Sequence, residues 1–211
     1  MTKWRNQFGA GDTNDPQKSV WGKKLLGGVA GLKFTAKQIV DEFPRGWTTY
    51  VEPFAGMART CKEMGFDMCT FSTNTIVLND LSPHSNEYCK KVFPIAIVEN
   101  MSFEDTINKY DSDKTFFFID PPWRHNIYTY NDFFRMDRKV YDYYEKLLEM
   151  TETMKGDWMI TSNADEHECR KILTKSKWNT KLISSGGKHI FGKPAKTLLC
   201  SNIFGLKEKS K

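Results

Sequence analysis

Four consecutive residues, Asp120-Pro121-Pro122-Trp123, carry the most specific chemistry in this chain. A carboxylate and a prolyl carbonyl are hydrogen-bond acceptors, and an indole is a flat stacking surface. Together they suit an amino group attached to an aromatic ring. The Asp120 carboxylate and the Pro121 carbonyl each accept one N–H, while Trp123 stacks on the ring. Accepting both hydrogens pins the nitrogen, favours a pyramidal geometry and aims its lone pair at an electrophile. No strong general base is required, because the nitrogen becomes acidic only after it has formed its new bond. The expected role of Asp120 is orientation and electrostatic stabilisation, with the released proton passing to it or to water.

The element that positions these residues is the run before them, Thr115–Ile119. Four apolar residues without alternation, Phe116 to Ile119, read as a strand buried on both faces. Pro121 and Pro122 lack the N–H that a central strand needs. The strand must stop at Asp120, which places a carboxylate at its carboxyl end, where ligands sit in open α/β sheets.

A second candidate stretch is Glu52-Pro53-Phe54-Ala55-Gly56-Met57-Ala58, between a short β-rich run at Thr48–Val51 and an expected helix at Met57–Met64. Strand, glycine-containing turn and helix in this order form a cofactor turn in doubly wound folds. The stretch lacks the G-x-G-x-x-G spacing of dinucleotide sites. Glu52 is a poor neighbour for a pyrophosphate and a good one for a cation. This points away from nicotinamide dinucleotides and nucleotide phosphates, towards a positively charged cofactor.

Thr75–Leu78 is a second short strand, followed by Asn79, Asp80, Leu81, Ser82 and Pro83. An acidic residue past the second strand is placed to accept hydrogen bonds from ribose hydroxyls, and it also suits an N-cap or Asx turn before a helix. Gly27, Gly28 and Gly31 precede a helical pattern at Lys33–Phe43 ended by Pro44. They read either as a flexible entry to the helix or as backbone lying close against a cofactor.

The remaining pattern predicts a helix beginning near Pro83 and running through Asn86–Val92, and helices at Phe103–Asn108, Met136–Met150 and Glu166–Leu173. Ile95–Val98 fits strand or helix. Trp158–Ile160 forms a strand expected to end at the polar residues Thr161, Ser162 and Asn163. Lys181–Ser184 and Thr197–Ile203 are two last strands, joined by a glycine-rich loop with Lys188, His189, Lys193 and Lys196. That loop is either solvated or touches phosphates. Arg124, His125, Tyr128 and Tyr130 follow the catalytic stretch in a loop suited to stacking and hydrogen bonding with a substrate.

The chain has 211 residues, enough for one core, and 39% hydrophobic and 27% charged residues are ordinary for a globular domain. The expected organisation is a flexible arm at 1–19, a domain at 20–206 and a basic tail at 207–211. No apolar run reaches membrane-spanning length and no signal-peptide core is present, so an intracellular protein without a membrane partner is expected. Five scattered cysteines and four separated histidines do not form a metal set. Reduced thiols and no metal are expected. A net charge of +5, from 31 basic and 26 acidic residues, is compatible with a polyanionic partner.

The ordered set GGxxG before a helix, YVEPFAG, LNDLSP, FFFIDPPW and LLCSNIF resembles the S-adenosylmethionine-dependent DNA adenine methyltransferases of the Dam family over roughly Val20–Phe204. The resemblance implies an α/β fold: one Rossmann-like class I methyltransferase domain, with a seven-stranded, mostly parallel sheet and helices on both faces. It implies S-adenosylmethionine as cofactor, S-adenosylhomocysteine as product, and a flipped adenine held by Asp120, Pro121, Pro122 and Trp123. The cofactor set it implies is Gly28, Gly31, Lys33, Glu52, Pro53, Phe54, Gly56, Asp80 and Leu81. The substrate set is Arg124, His125, Tyr128, Tyr130, Lys188 and Lys193. Phe134 and Asp137 match a Phe-x-x-Asp pattern that follows the catalytic motif in this family.

The chain departs from the family in two places. Only Leu81–Thr115 separates the acidic motif from the catalytic motif, where the family usually inserts a target-recognition domain. Reading of a duplex then falls to the arm, to Arg124–Arg135, to the Gly186–Lys196 loop, to a partner or to a second subunit. Trp123 also replaces the usual tyrosine and resembles the messenger-RNA adenine methyltransferases, although these place the catalytic motif first. DNA is the first expected partner, and RNA or single-stranded nucleic acid the alternative. An inactive cofactor- or nucleic-acid-binding subunit on the same scaffold is the reading from a different class. A glutamine-modifying enzyme fits less well, since that amide is usually served by Asn-Pro-Pro-Tyr. The expected location is cytoplasmic or nucleoid-associated, or a host cell if the protein is viral.

Overall fold

The computed structural model describes residues 36–65, 74–122, 140–164, 167–188 and 194–206. Residues 36–40 are helical. The elements that follow are β1 (Thr49–Glu52), α1 (Arg59–Glu63), β2 (Thr75–Asn79), α2 (Pro83–Val92), β3 (Ile97–Glu99), α3 (Phe103–Tyr110), β4 (Thr115–Ile119), α4 (Val140–Thr151), β5 (Asp157–Asn163), α5 (His167–Lys175), β6 (Thr180–Lys188) and β7 (Pro194–Ser201), with a 3-10 turn at Asn202–Phe204.

The strands form one seven-stranded sheet in the order β3-β2-β1-β4-β5-β7-β6. Strands β1 to β5 pair in parallel, and β7 runs antiparallel to both β5 and β6. The chain moves outward from β1 through β2 to β3, then returns to lay β4 on the other side of β1. The strand order therefore reverses beside β1, and the crevice at such a reversal is where open α/β sheets hold ligands.

Strand alternation explains the unbroken apolar run in β4. Phe117 and Ile119 join Val51, Val77, Trp158, Ile160, Leu198 and Cys200 on one face, under side chains of α3, α4 and α5. Phe116 and Phe118 join Tyr50, Ile76, Leu78, Met159 and Leu199 on the other, under α1, α2 and the helical residues 36–40. Both faces need apolar side chains, so a strand of period two shows no polar positions. All five residues of β4 are buried.

Several boundaries differ from the sequence expectation. Residues 95–98 resolve in favour of a strand, β3, at Ile97–Glu99. Helix α1 covers five residues rather than the eight of Met57–Met64, because the turn before it occupies the chain up to Ala58. Strand β5 does not stop at Ile160: Thr161, Ser162 and Asn163 pair with Leu199, Leu198 and Thr197 of β7. An antiparallel partner supplies ladder bonds to polar residues as readily as to apolar ones. Ile203 belongs to the 3-10 turn, not to β7. The stretch 185–188, expected as loop, extends β6, with a register shift between Ser184 and Lys188.

The loop before β5 is clamped to the loop before β4. The Asp111 carboxylate accepts the backbone N–H groups of Lys155 and Gly156, each at about 3 Å. A Cβ at Gly156 would lie 2.6 Å from the Thr115 carbonyl oxygen and 3.0 Å from that of Ser112. Only glycine permits this approach, which sets where β4 and β5 begin side by side.

Candidate active site

The carboxyl ends of β1, β2 and β4 bring three acidic residues to one edge of the sheet. Glu52 ends β1, Asp80 follows β2, and Asp120 follows β4. In the strand alternation they share the face of Tyr50, Leu78 and Phe118, the face packed by α1 and α2.

Glu52 is buried, and its Oε1 accepts the Tyr50 hydroxyl at 2.6 Å and the Cys61 backbone N–H at 3.0 Å. Tyr50 lies two residues back on the same face, and Cys61 is in the first turn of α1, where backbone N–H groups have no partner within the helix. Burial pushes the Glu52 carboxyl up to about 8; the two hydrogen bonds hold it down, and the charge of Asp120 adds to the rise. Burial and the neighbouring Glu52 likewise raise the Tyr50 phenol well above its ordinary value.

Between Glu52 and α1 the chain reverses tightly. Gly56 and Ala58 both adopt left-handed backbone, with φ of 53° and 46°. The turn is stitched to the next strand: the Ala55 N–H donates to the Asn79 carbonyl at 2.8 Å, and the Asn79 amide donates to the Pro53 carbonyl at 2.9 Å. Asn79 also exchanges hydrogen bonds with Met101, at 3.0 Å in each direction. Cys89 of α2 donates its thiol to the Gly56 carbonyl, and burial raises that thiol to about 12. It is an inert packing group.

The Asp80 carboxylate closes the turn. Its Oδ2 accepts the Gly56 N–H at 2.8 Å and its Oδ1 the Ser82 N–H at 2.7 Å. Burial raises the Asp80 carboxyl, and these two N–H groups oppose the rise. Of the two local roles expected for Asp80, the Asx-turn bond to Ser82 is present, whereas the N-cap of α2 is Ser82, whose hydroxyl accepts the Ser85 N–H at 3.2 Å. The Asp80 carbonyl is held by the amides of Asn86 and Asn100. Leu81 is 46% exposed beside this carboxylate. An exposed aliphatic surface next to half-buried acceptors suits a ligand with one flat apolar part and one hydroxylated part.

Phe54 is half-buried and its ring stacks on Phe103, 5.1 Å between centroids, with its edge towards Tyr143. Pro121 is buried and Pro122 half-buried. Asp120 is exposed, and its Oδ1 accepts a hydrogen bond from the Thr161 hydroxyl. Thr161 was visible in the sequence only as one of three polar residues after Trp158–Ile160. Nothing in that pattern assigns it to Asp120, because the partnership depends on β4 and β5 being neighbours.

The structure thus brings together Glu52, Gly56, Asp80, Leu81 and Asp120 from the expected set. Lys188 ends β6 in register with Pro194. Gly28, Gly31, Lys33, Trp123, Arg124, His125, Tyr128, Tyr130, Phe134, Asp137 and Lys193 lie outside the described residues. Among the described residues no group of three or more His, Cys, Asp or Glu side chains could hold a metal. Nor is any described helix long and apolar enough to cross a membrane. Cys61, Cys89, Cys169 and Cys200 are buried thiols.

A scan of the sequence against protein-family models gives no match, and no curated protein sequence matches it. The fold is similar to that of an S-adenosylmethionine-dependent O-methyltransferase from Thermotoga maritima, with a TM-score of 0.51 at 9% identity, covering 84% of this chain and 66% of that one. It is also similar to an S-adenosylmethionine-dependent methyltransferase from Aquifex aeolicus, with a TM-score of 0.50 at 15% identity, covering 89% of this chain and 98% of that one. The chain has the Rossmann-like fold of class I methyltransferases: a single α/β layer structure with a seven-stranded, mostly parallel sheet.

Proposed function

We propose that this protein transfers a methyl group from S-adenosylmethionine to the exocyclic amino group of adenine in DNA. The observation that carries the reading is the placement of Asp120. It stands off the end of β4, beside the β1 turn, and heads the Asp-Pro-Pro-Trp sequence.

The cofactor end of the site fits S-adenosylmethionine on its donor set. Asp80 offers a half-buried acceptor pair at the end of β2, suited to ribose hydroxyls, with Leu81 exposed beside it for the purine. Glu52 offers a buried carboxyl that a cationic ligand would ionise, and the hydrogen bonds from Tyr50 and Cys61 both fall on Oε1. Gly28, Gly31 and Lys33 complete the expected set. When bound, the cofactor supplies an electrophilic methyl on a sulfonium, passed to the amine nitrogen as the C–S pair returns to sulfur.

At the substrate end, Asp120 and the Pro121 carbonyl accept the two amine hydrogens and turn the nitrogen lone pair out of conjugation with the ring. Trp123 supplies the stacking face. Asp120 stabilises the ammonium formed at nitrogen, whose extra proton passes to its carboxylate or to water. The enzyme needs no group more basic than a carboxylate.

Adenine in RNA or in a single strand is a second reading, favoured by a specific observation. The described elements between Asp80 and Asp120 are α2, β3, α3 and β4, each part of the sheet or of its helical cover. That segment leaves no separate module for reading a duplex. An unstacked base also needs little extrusion energy. Nucleic acid contact on either reading falls to Arg124, His125, Tyr128, Tyr130, Lys188 and Lys193, or to a homodimer or recognition subunit.

The test is incubation with labelled S-adenosylmethionine and single- and double-stranded DNA and RNA oligomers, followed by nucleoside analysis. N6-methyladenine in DNA is the expected product. Cofactor binding without methyladenine in any nucleic acid would overturn the enzymatic reading in favour of an inactive binding subunit.

A further inference from the structure

We infer that Thr161 is a positioning residue for Asp120: its hydroxyl, presented by β5, fixes the carboxylate at the carboxyl end of β4. The inference rests on the proposed role of Asp120 and adds a residue that no sequence motif marks.

Three observations carry it. Phe118 pairs with Met159 and Ile119 with Ile160. Continued by one residue, that register sets Asp120 beside Thr161, on the face of Phe118 and Met159. Thr161 Oγ1 donates to Asp120 Oδ1. Thr161 is itself immobilised: it is 1% exposed, pairs with Leu199 of β7, and its carbonyl accepts the Tyr144 hydroxyl at 3.0 Å.

A β-branched side chain in a central strand has little rotameric freedom, so its hydroxyl is a fixed donor. Asp120 is the opposite case. It has left the ladder, and two prolines follow it, which can give it no backbone N–H from the next two positions. Only some rotamers of this carboxylate aim an oxygen at the amine, and the Thr161 bond selects among them. The hydroxyl stabilises the charged carboxylate and holds its plane. The polar end of β5, with buried Thr161, Ser162 and Asn163, is then functional architecture and not merely the tail of a strand.

The experiment compares wild type, Thr161→Val and Thr161→Ser as full chains with S-adenosylmethionine and adenine-containing oligomers. Valine keeps the volume and deletes the hydroxyl; serine keeps the hydroxyl and deletes the methyl. The expected result for Thr161→Val is a kcat lowered about ten- to hundredfold. S-adenosylhomocysteine affinity should stay near wild type, and the acid limb of the pH–rate profile should move to higher pH. Thr161→Ser should restore kcat to within a few-fold. Independently of turnover, the Asp120 carboxyl followed by carbon NMR should titrate at higher pH in Thr161→Val than in wild type. An unchanged titration, or a serine variant as impaired as the valine variant, overturns the inference. If wild type methylates no adenine, the functional reading fails and the titration alone decides the role of Thr161.

Discussion

The Gly56 backbone N–H donates to Asp80 Oδ2 at 2.8 Å, joining two turns that lie 24 residues apart in the chain. With Ser82 on Oδ1, the carboxylate closes the turn after β1 against the turn after β2. The group assigned to a ribose is therefore also the clasp that shapes the cofactor turn. Asp80→Asn replaces one acceptor oxygen with a donor facing a backbone N–H. It is expected to lower unfolding free energy by about 1–3 kcal/mol and to weaken S-adenosylmethionine binding. Urea unfolding and isothermal titration measure the two effects separately; unchanged stability would show that the clasp is not needed.

Glu52 makes stability depend on pH in a definite sense. Its carboxyl lies at about 8 in the folded chain against an ordinary 4.5. Between these values the folded chain keeps a proton that the unfolded chain releases, so the contribution is present at low pH and is lost as pH rises towards 8. Asp80, also raised by burial, acts in the same direction. The melting temperature of the ligand-free protein should fall across this window, and Glu52→Gln should flatten the fall. A bound cation favours the ionised form, so S-adenosylmethionine affinity should rise with pH in wild type and lose that dependence in Glu52→Gln. Calorimetry at several pH values checks both.

Asp120→Ala separates binding from transfer. The carboxylate stands off β4, whereas the Gly56–Asp80 clasp joins the turns after β1 and β2, so cofactor affinity should stay within several-fold while methyl transfer is abolished. A variant with near-normal turnover would remove Asp120 from the mechanism. Single-turnover assays alongside titration distinguish the outcomes.

Gly156 tests the scaffold beneath the site. An added Cβ would press on backbone carbonyls of Thr115 and Ser112, which cannot swing aside as a side chain can. Gly156→Ala should destabilise by about 1–3 kcal/mol through overpacking. The β4–β5 pairing that aligns Asp120 with Thr161 should suffer with it. Chemical denaturation gives the first effect and kcat of the folded fraction the second.

Local chemistry made much of the fold legible in the sequence. Phe116 to Ile119 could only be a strand covered on both sides, and the two prolines could only end it. Glu52 and Asp80 were recognisable because each follows a short β-rich run and precedes a helix. The extent of β5 was not legible. Thr161, Ser162 and Asn163 look like a strand's end until β7, remote in sequence, supplies antiparallel partners.

By itself, then, the sequence determined which residue types stand at the ends of which strands, because hydrophobic periodicity and proline act over a few residues. Tertiary structure alone decided what those residues touch. The Thr161 donor to Asp120, the closure of Asp80 on Gly56 and the Tyr50–Glu52 pair's burial beside Cys61 depend on strand order, register and helix cover. Those are set by packing the whole sheet, and no short stretch of residues contains them.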